Sequence, residues 1–452
     1  MIFFHIGLRW DIIHGIEHNT FDDASKTSCT EAGSLRSTTW ALWPDLAQAS
    51  SQLANLGDGG PPIPLITQSG RNSLRLSAAD NVMVPEPASI VAAAFILAWA
   101  AEAAEVDISQ GLAVAAVALI AVLPEYAVDA YFAFHAGTDP SYVGLATANM
   151  TGANRLLLGV AWPMVLFAAW WAARREGRRE TSIELEHDNR TEIGFLLVAC
   201  IVAFALPLLG SIATWFGLGL AAWFVFYMVR VARKEPEEPH LIGTAEWIAT
   251  RAATARRRTV VALFIAATVT ILLCAEPFAH SLVDTGTDLG IDKFFLVQWV
   301  APFASEAPEF VIVVLLALRG NAPSGLSALV SSKVNQWTLL IGTLPIAYGL
   351  GGGSWSGLPL GARQKEEVLL TAAQSLFGVA LLLQLRFPRW GAVTLLGLFA
   401  VQFVWHDTTG HYVMTAVYIA VSLGLFVRDR ATLAGFLRAP FARSVSGTTS
   451  SS

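Results

Sequence analysis

Between residues 87 and 428 the chain is a succession of apolar stretches. Each is close to the ~20 residues an α-helix needs to cross the hydrocarbon core of a bilayer. The expected spans are 87–104, 111–136, 142–173, 192–209, 211–232, 259–282, 290–318, 322–349, 366–386, 389–406 and 411–428. A backbone in lipid must satisfy its own hydrogen bonds, so a series of this kind specifies a helical bundle. The fold class that follows is all-α, a polytopic membrane protein with about 10–11 transmembrane helices. Composition agrees. Of 452 residues 54% are hydrophobic and only 14% charged, against roughly 25% charged in soluble domains, and the mean hydropathy is +0.53. The third, seventh and eighth spans are longer than a simple crossing and contain proline or polar residues, so they are expected to break or tilt.

Several classes are excluded. A net charge of −6 without a long basic run argues against nucleic acid as a partner. Cys29, Cys200 and Cys274 are too few and too scattered for a disulfide framework or a zinc site. Residues 1–86 read as a polar, poorly ordered N-terminal extension, with the natural start expected at Met83 and a genuine extension as the alternative. Residues 87–232 form a first repeat, 233–258 a charged linker, 259–406 a second repeat, 407–430 an extra helix and 431–452 a flexible tail. Arginines and lysines orient the bundle. Arg174, Arg175, Arg178, Arg179, Arg233, Lys234, Arg256–Arg258, Arg386, Arg389, Arg428 and Arg430 all fall on one side if the first helix enters from outside. That places the N-terminus outside and the Arg-rich loops in the cytoplasm, in a plasma (inner) membrane. Arg363 and Lys365 violate the pattern.

Polar residues inside the spans reveal an internal repeat. Pro124-Glu125 recurs as Pro308-Glu309, Pro140-Ser141 as Pro323-Ser324, and Ala101-Glu102 as Ala275-Glu276. Five helices separate the copies, an odd number, so the two five-helix repeats are inverted in the membrane, and such repeats meet at a midplane site. Glu125 and Asp129 are spaced i,i+4, and Glu306 and Glu309 i,i+3, so each pair shares a helix face. One buried acid can be packing glue with an arginine partner, but four at repeat-related prolines point to a cation site. Pro124 and Pro308 each free a carbonyl one turn earlier. Carbonyls beside carboxylates make an all-oxygen ligand set suited to a hard ion such as Ca²⁺, and no Cys/His cluster accompanies them. His135, His280, His406 and His411 read as interfacial residues at helix ends, with His280 near Glu276 a candidate proton relay. The run Ala148-Asn149-Met150-Thr151-Gly152-Ala153-Asn154 offers small residues for close packing and neutral oxygens for an ion.

A Pro-Glu helix, a tight turn and a helix opening with G-N-x-x-G-S-N resemble the alpha-repeat of the cation/calcium exchanger superfamily. The resemblance covers about 87–428 and is strongest at 121–163 and 301–346. It implies a secondary cation antiporter, with Glu125 and Glu309 matching the repeat glutamates that bind Ca²⁺. Asn149 and Asn154 match the asparagines of the first repeat, and Ser305 matches a hydroxyl residue four before the second glutamate. Asp129 and Glu306 are then secondary ligands or proton carriers. The chain departs from the pattern at Ala148, Ala153 and Ala121-Val122, and most strongly at Lys333. Counted from the Pro-Glu pairs, Lys333 falls opposite Asn149; anchored on Asn335, it falls on the motif's glycine. Either register sets a lysine beside the site, as a coupling or charge-compensating group together with Asn335 and as a counter-ion for Glu309 or a neighbour. Snorkelling to an interface is the bland reading. The expected cargo is Ca²⁺ or a related cation, moved against H⁺ or Na⁺, with H⁺ preferred because fewer hydroxyls remain for Na⁺. No cofactor is expected, and the partners are inorganic cations and the lipid bilayer. The alternative is a membrane-embedded acid–base enzyme, an intramembrane hydrolase; its paired aspartates are missing, since Asp129 faces Val313 in the repeat alignment.

Overall fold

A computed structural model describes residues 86–104, 106–107, 123–232, 241 and 243–442. The expectations for residues 1–85, Cys29, Met83, 111–122, Arg233, Lys234 and 443–452 lie outside the described residues.

The apolar runs form helices α1 (Glu86–Ala104), α2 (Leu123–Ala136), α3 (Ser141–Leu156) and α4 (Trp162–Arg175), then α5 (Asn189–Ala203), α6 (Ala205–Leu209) and α7 (Thr214–Val231). After α8 (Thr244–Ala249) come α9 (Ala253–Leu289), α10 (Lys293–Leu318), α11 (Ala322–Asn335) and α12 (Ile341–Leu350), and then α13 (Ala362–Leu381), α14 (Arg389–Val404), α15 (Thr408–Arg428) and α16 (Arg430–Arg438). Among the described residues six helical stretches are long and apolar enough to cross a membrane by length and composition. The outer face of α9 shows why lipid is needed. Val261, Ile265, Val269 and Leu272 follow helical spacing and are all about half exposed or more, an apolar stripe that water would penalise.

The expected breaks take a milder form. The third and eighth spans stay helical through single π-helical turns, Leu157–Ala161 and Gln336–Leu340. The seventh span runs on through Pro302 and Pro308. Pro302 has no N–H to offer the Gln298 carbonyl, and Gly152 packs against that oxygen so closely that a Cβ there would lie 1.7 Å from it. A glycine is thus required where α3 crosses α10. The expectation of a flexible tail needs correction, and the linker carries structure of its own. Part of the charged linker is helical, since α8 lies in it and α9 starts at Ala253. The first part of the tail is helical too: α16 buries Phe436, and an amphipathic turn with one aromatic to bury is held by packing that composition alone does not reveal. Arg363, which breaks the charge rule, is neutralised by Asp292 at 2.6 Å.

Among the described residues four three-residue strands connect the repeats. β1 (Ser182–Glu184) follows the third span and β3 (Gly357–Pro359) the eighth. β2 (Ser211–Ala213) joins the fourth and fifth spans, and β4 (Arg386–Pro388) the ninth and tenth. β1 pairs with β4 and β2 with β3, both antiparallel, with Ile183 opposite Phe387 and Ile212 opposite Leu358. Exchanging the two repeats converts one pairing into the other, as an inverted repeat requires. Inside the bundle Phe132, Trp162, Phe195, Trp337 and Phe377 are fully buried in one continuous apolar core. Two smaller apolar clusters join α1 to α9, around Leu97 and Ile271, and around Ala104, Ile248 and Val260.

Candidate functional site: a cavity walled by carboxyl groups

Proline starts the site. Pro124 and Pro308 precede Glu125 and Glu309, and all the acids of α2 and α10 turn inward from lipid, Glu125 at 3%, Asp129 at 1% and Glu306 at 4% exposure. Glu125, Ser305, Glu306, Glu309 and Asn335 line a cavity of about 380 Å³, and Glu102 of α1 lines it with them. The Glu306 carboxyl neighbours those of Glu125 and Glu309 in the cavity wall, which makes a row of three. Gln336, the first residue of the π-helical turn, donates from Nε2 to Glu306 Oε1 at 2.8 Å and to Glu125 Oε1 at 3.3 Å. Ser332 donates to Glu309 Oε2 at 3.3 Å, and Tyr126 donates to Asn335 Oδ1 at 2.8 Å. Ser305 lines the cavity, and its hydroxyl donates to the Ala301 carbonyl at 3.2 Å, which leaves the oxygen's lone pairs unused. Among the described residues no three His, Cys, Asp or Glu side chains converge on one metal centre.

The other expected site residues sit behind this wall. Asn149 Nδ2 donates to Asp129 Oδ1 at 2.8 Å, and neither residue lines the cavity. Asn154 is not free to face an ion. Lys333 Nζ donates to its main-chain oxygen at 2.5 Å and to its Oδ1 at 2.6 Å, while Asn154 Nδ2 donates to the Met150 carbonyl at 3.0 Å. The expected ion pair of Lys333 with Glu309 is therefore absent among the described residues. Snorkelling is absent as well, because Lys333 has 0% exposure. The reason is geometric: Ser332 and Asn335 share the cavity face of α11, so Lys333 points to the flank where α3 lies.

Three features were missed. Gln336 stands in the same polar run as Lys333 and Asn335, and that run was its only signal. Glu102 is in the cavity although its repeat mate Glu276 is 66% exposed beside His280 at 3.9 Å. A second buried cluster lies apart from the cavity. Arg155 Nη2 meets Glu367 Oε2 at 2.5 Å, and His411 Nδ1 lies 3.5 Å from Glu366 and 3.9 Å from Glu367. His411, expected at an interface, is only 3% exposed, because three residues into α15 it already faces α13.

Comparison with known proteins gives the architecture a family. The model of the sodium/calcium exchanger protein family matches residues 88–232 and 259–406. The crystal structure of an H⁺/Ca²⁺ exchanger, CAX, is 42% identical, with 79% of this chain and 89% of that chain covered at a TM-score of 0.75. The Ca²⁺/H⁺ antiporter protein YfkE is 16% identical, with 74% and 90% covered at a TM-score of 0.51, and shows the same fold. No curated protein sequence matches the chain significantly. Two inverted repeats, a carboxyl-walled cavity between them and a family match over both repeats lead to one conclusion: the chain belongs to the sodium/calcium exchanger protein family, integral membrane antiporters of inorganic cations that are not enzymes and use no cofactor.

Proposed function

We propose that this antiporter exchanges Ca²⁺ for H⁺ at the row Glu125, Glu306 and Glu309. The carrying observation is that row itself. Glu125 and Glu306 share the amide of Gln336 as donor, Glu309 beside them accepts from Ser332, and among the described residues no basic side chain bonds to the three. Adjacent carboxylates repel in a medium of low dielectric, and two arrangements relieve the repulsion, protons on the acids or a divalent cation between them. The two are mutually exclusive, which is the logic of exchange. Glu125 and Glu309 are the principal ligands, Glu306 the shared proton carrier, and Asn335 a neutral ligand. Asp129 and Asn149 support the wall from behind. The similarity to an H⁺/Ca²⁺ exchanger supports this choice of ions. The Arg-rich loops face the cytoplasm and the first helix enters from outside a plasma (inner) membrane, by the distribution of basic residues.

Purified protein in sealed vesicles tests this. An imposed pH gradient should drive Ca²⁺ uptake, and Glu125→Gln and Glu309→Gln should each abolish it while the protein still purifies as a folded species. Near-normal flux in both variants would remove the site. Uptake that ignores the pH gradient and follows a Na⁺ gradient would replace H⁺ as the counter-ion.

A further inference from the structure

Lys333 ends in an ammonium with no exposed surface, and both of its hydrogen bonds go to neutral oxygens of a single residue, Asn154. The Trp337 ring lies 5.8 Å from Nζ and presents its face to the charge. The carboxyls of Glu125 and Glu306 are close enough for its charge to act on them but are not its partners. A main-chain carbonyl and an amide oxygen closing on a dehydrated unit charge are ligands of the kind that a protein offers to Na⁺ or K⁺ in place of water. Here a side chain supplies the charge.

The π-helical turns give the structural register of the repeat: Asn154 stands three residues before Leu157 and Lys333 three residues before Gln336, so the lysine crosses to its own counterpart in the other repeat.

We propose that Lys333 is a tethered monovalent cation. Its ammonium fills an oxygen-lined position on Asn154 that a dissolved Na⁺ or K⁺ would otherwise take, and exchange through the carboxyl-walled cavity consequently needs no dissolved monovalent cation. The inference rests on the exchange reading above for its consequence in transport, and on geometry alone for the site.

The full chain is tested in vesicles prepared in choline buffer, as wild type, Lys333→Ala, Lys333→Met and Asn154→Ala. Wild-type Ca²⁺ uptake should be unchanged when choline is replaced by Na⁺, K⁺ or ammonium. Lys333→Ala should lose about tenfold in choline, as expected for the loss of a charge-assisted bond, and regain most of it in ammonium or Na⁺. Lys333→Met, whose neutral thioether fills the same space, should lose activity and not regain it. Asn154→Ala keeps the ammonium in place, so its lowered flux should not respond to any monovalent cation. A second readout is independent of transport: ammonium or Na⁺ should raise the thermal unfolding midpoint of Lys333→Ala in detergent and leave that of wild type unmoved. Wild-type flux by Lys333→Ala in choline would overturn the proposal. So would a midpoint that no monovalent cation raises, or rescue of Asn154→Ala. If wild type moves no Ca²⁺ while the Lys333→Ala midpoint still rises, the exchange reading fails and the tether stands.

Discussion

The Arg155–Glu367 pair offers a quantitative test of what holds this bundle together away from the cavity. Its atoms are 2.5 Å apart and its side chains only 1% and 2% exposed. At roughly 4 Å between charge centres and an effective dielectric near 20, the attraction is about 4 kcal/mol before desolvation is subtracted. Removing one partner leaves the other buried and uncompensated, which costs about 3–5 kcal/mol, whereas replacing both by apolar groups of similar volume is close to neutral. Arg155→Met should therefore lower the thermal midpoint of the purified protein by several degrees. Glu367→Leu should do the same, leaving a guanidinium over Trp299, whose ring is 5.0 Å away, with no carboxylate. The double variant should recover most of the loss. The assay is a double-mutant cycle on midpoints measured in one detergent at one pH. Two single variants at the wild-type midpoint would refute the reasoning, since they would show that neither charge is stranded. A double variant as unstable as the sum of its singles would refute it as well, because the pair would then not be coupled.

Gln336→Leu should cost more in function than in folding: its amide donates to both Glu125 and Glu306, and without it the row repels more strongly, so the pH dependence of Ca²⁺ uptake should shift upward; an unmoved profile would leave Gln336 a packing residue. On the Arg-rich face, the Arg256 guanidinium bonded to Asp107 at 2.7 Å holds that carboxyl below its usual value near 3.8. A depressed carboxyl stabilises the fold above its unfolded pKa and loses that contribution as pH falls through the folded one, so acid unfolding below about pH 4 should begin at higher pH in wild type than in Asp107→Asn relative to each protein's own neutral-pH midpoint.

Periodicity and the cost of charge in lipid carried much of this molecule into view. Apolar runs of membrane-crossing length allow little but helices, because lipid offers the backbone no other partner. The repeated Pro-Glu pairs exposed the inverted architecture, and Glu125, Glu306 and Glu309 were legible because a carboxyl in such a run demands a reason. What those acids touch was not legible. Helical spacing places a side chain on a face but does not say which helix that face meets. Asp129 and Glu125 share a face by spacing, yet only Glu125 reaches the cavity, because Asn149 of α3 packs in front of Asp129. Gln336 becomes a bridge only where the π-helical turn begins. Lys333 was expected beside Glu309 or a neighbouring acid and makes its hydrogen bonds to Asn154, a partnership that depends on contact between residues 179 apart in the chain. The fold of α16 over α5 likewise depends on Phe436 finding a buried seat. A sequence determines which groups lipid will not tolerate unpaired. Only the close crossing of α3 and α10, set by Gly152 against the Gln298 carbonyl, decides which of them meet.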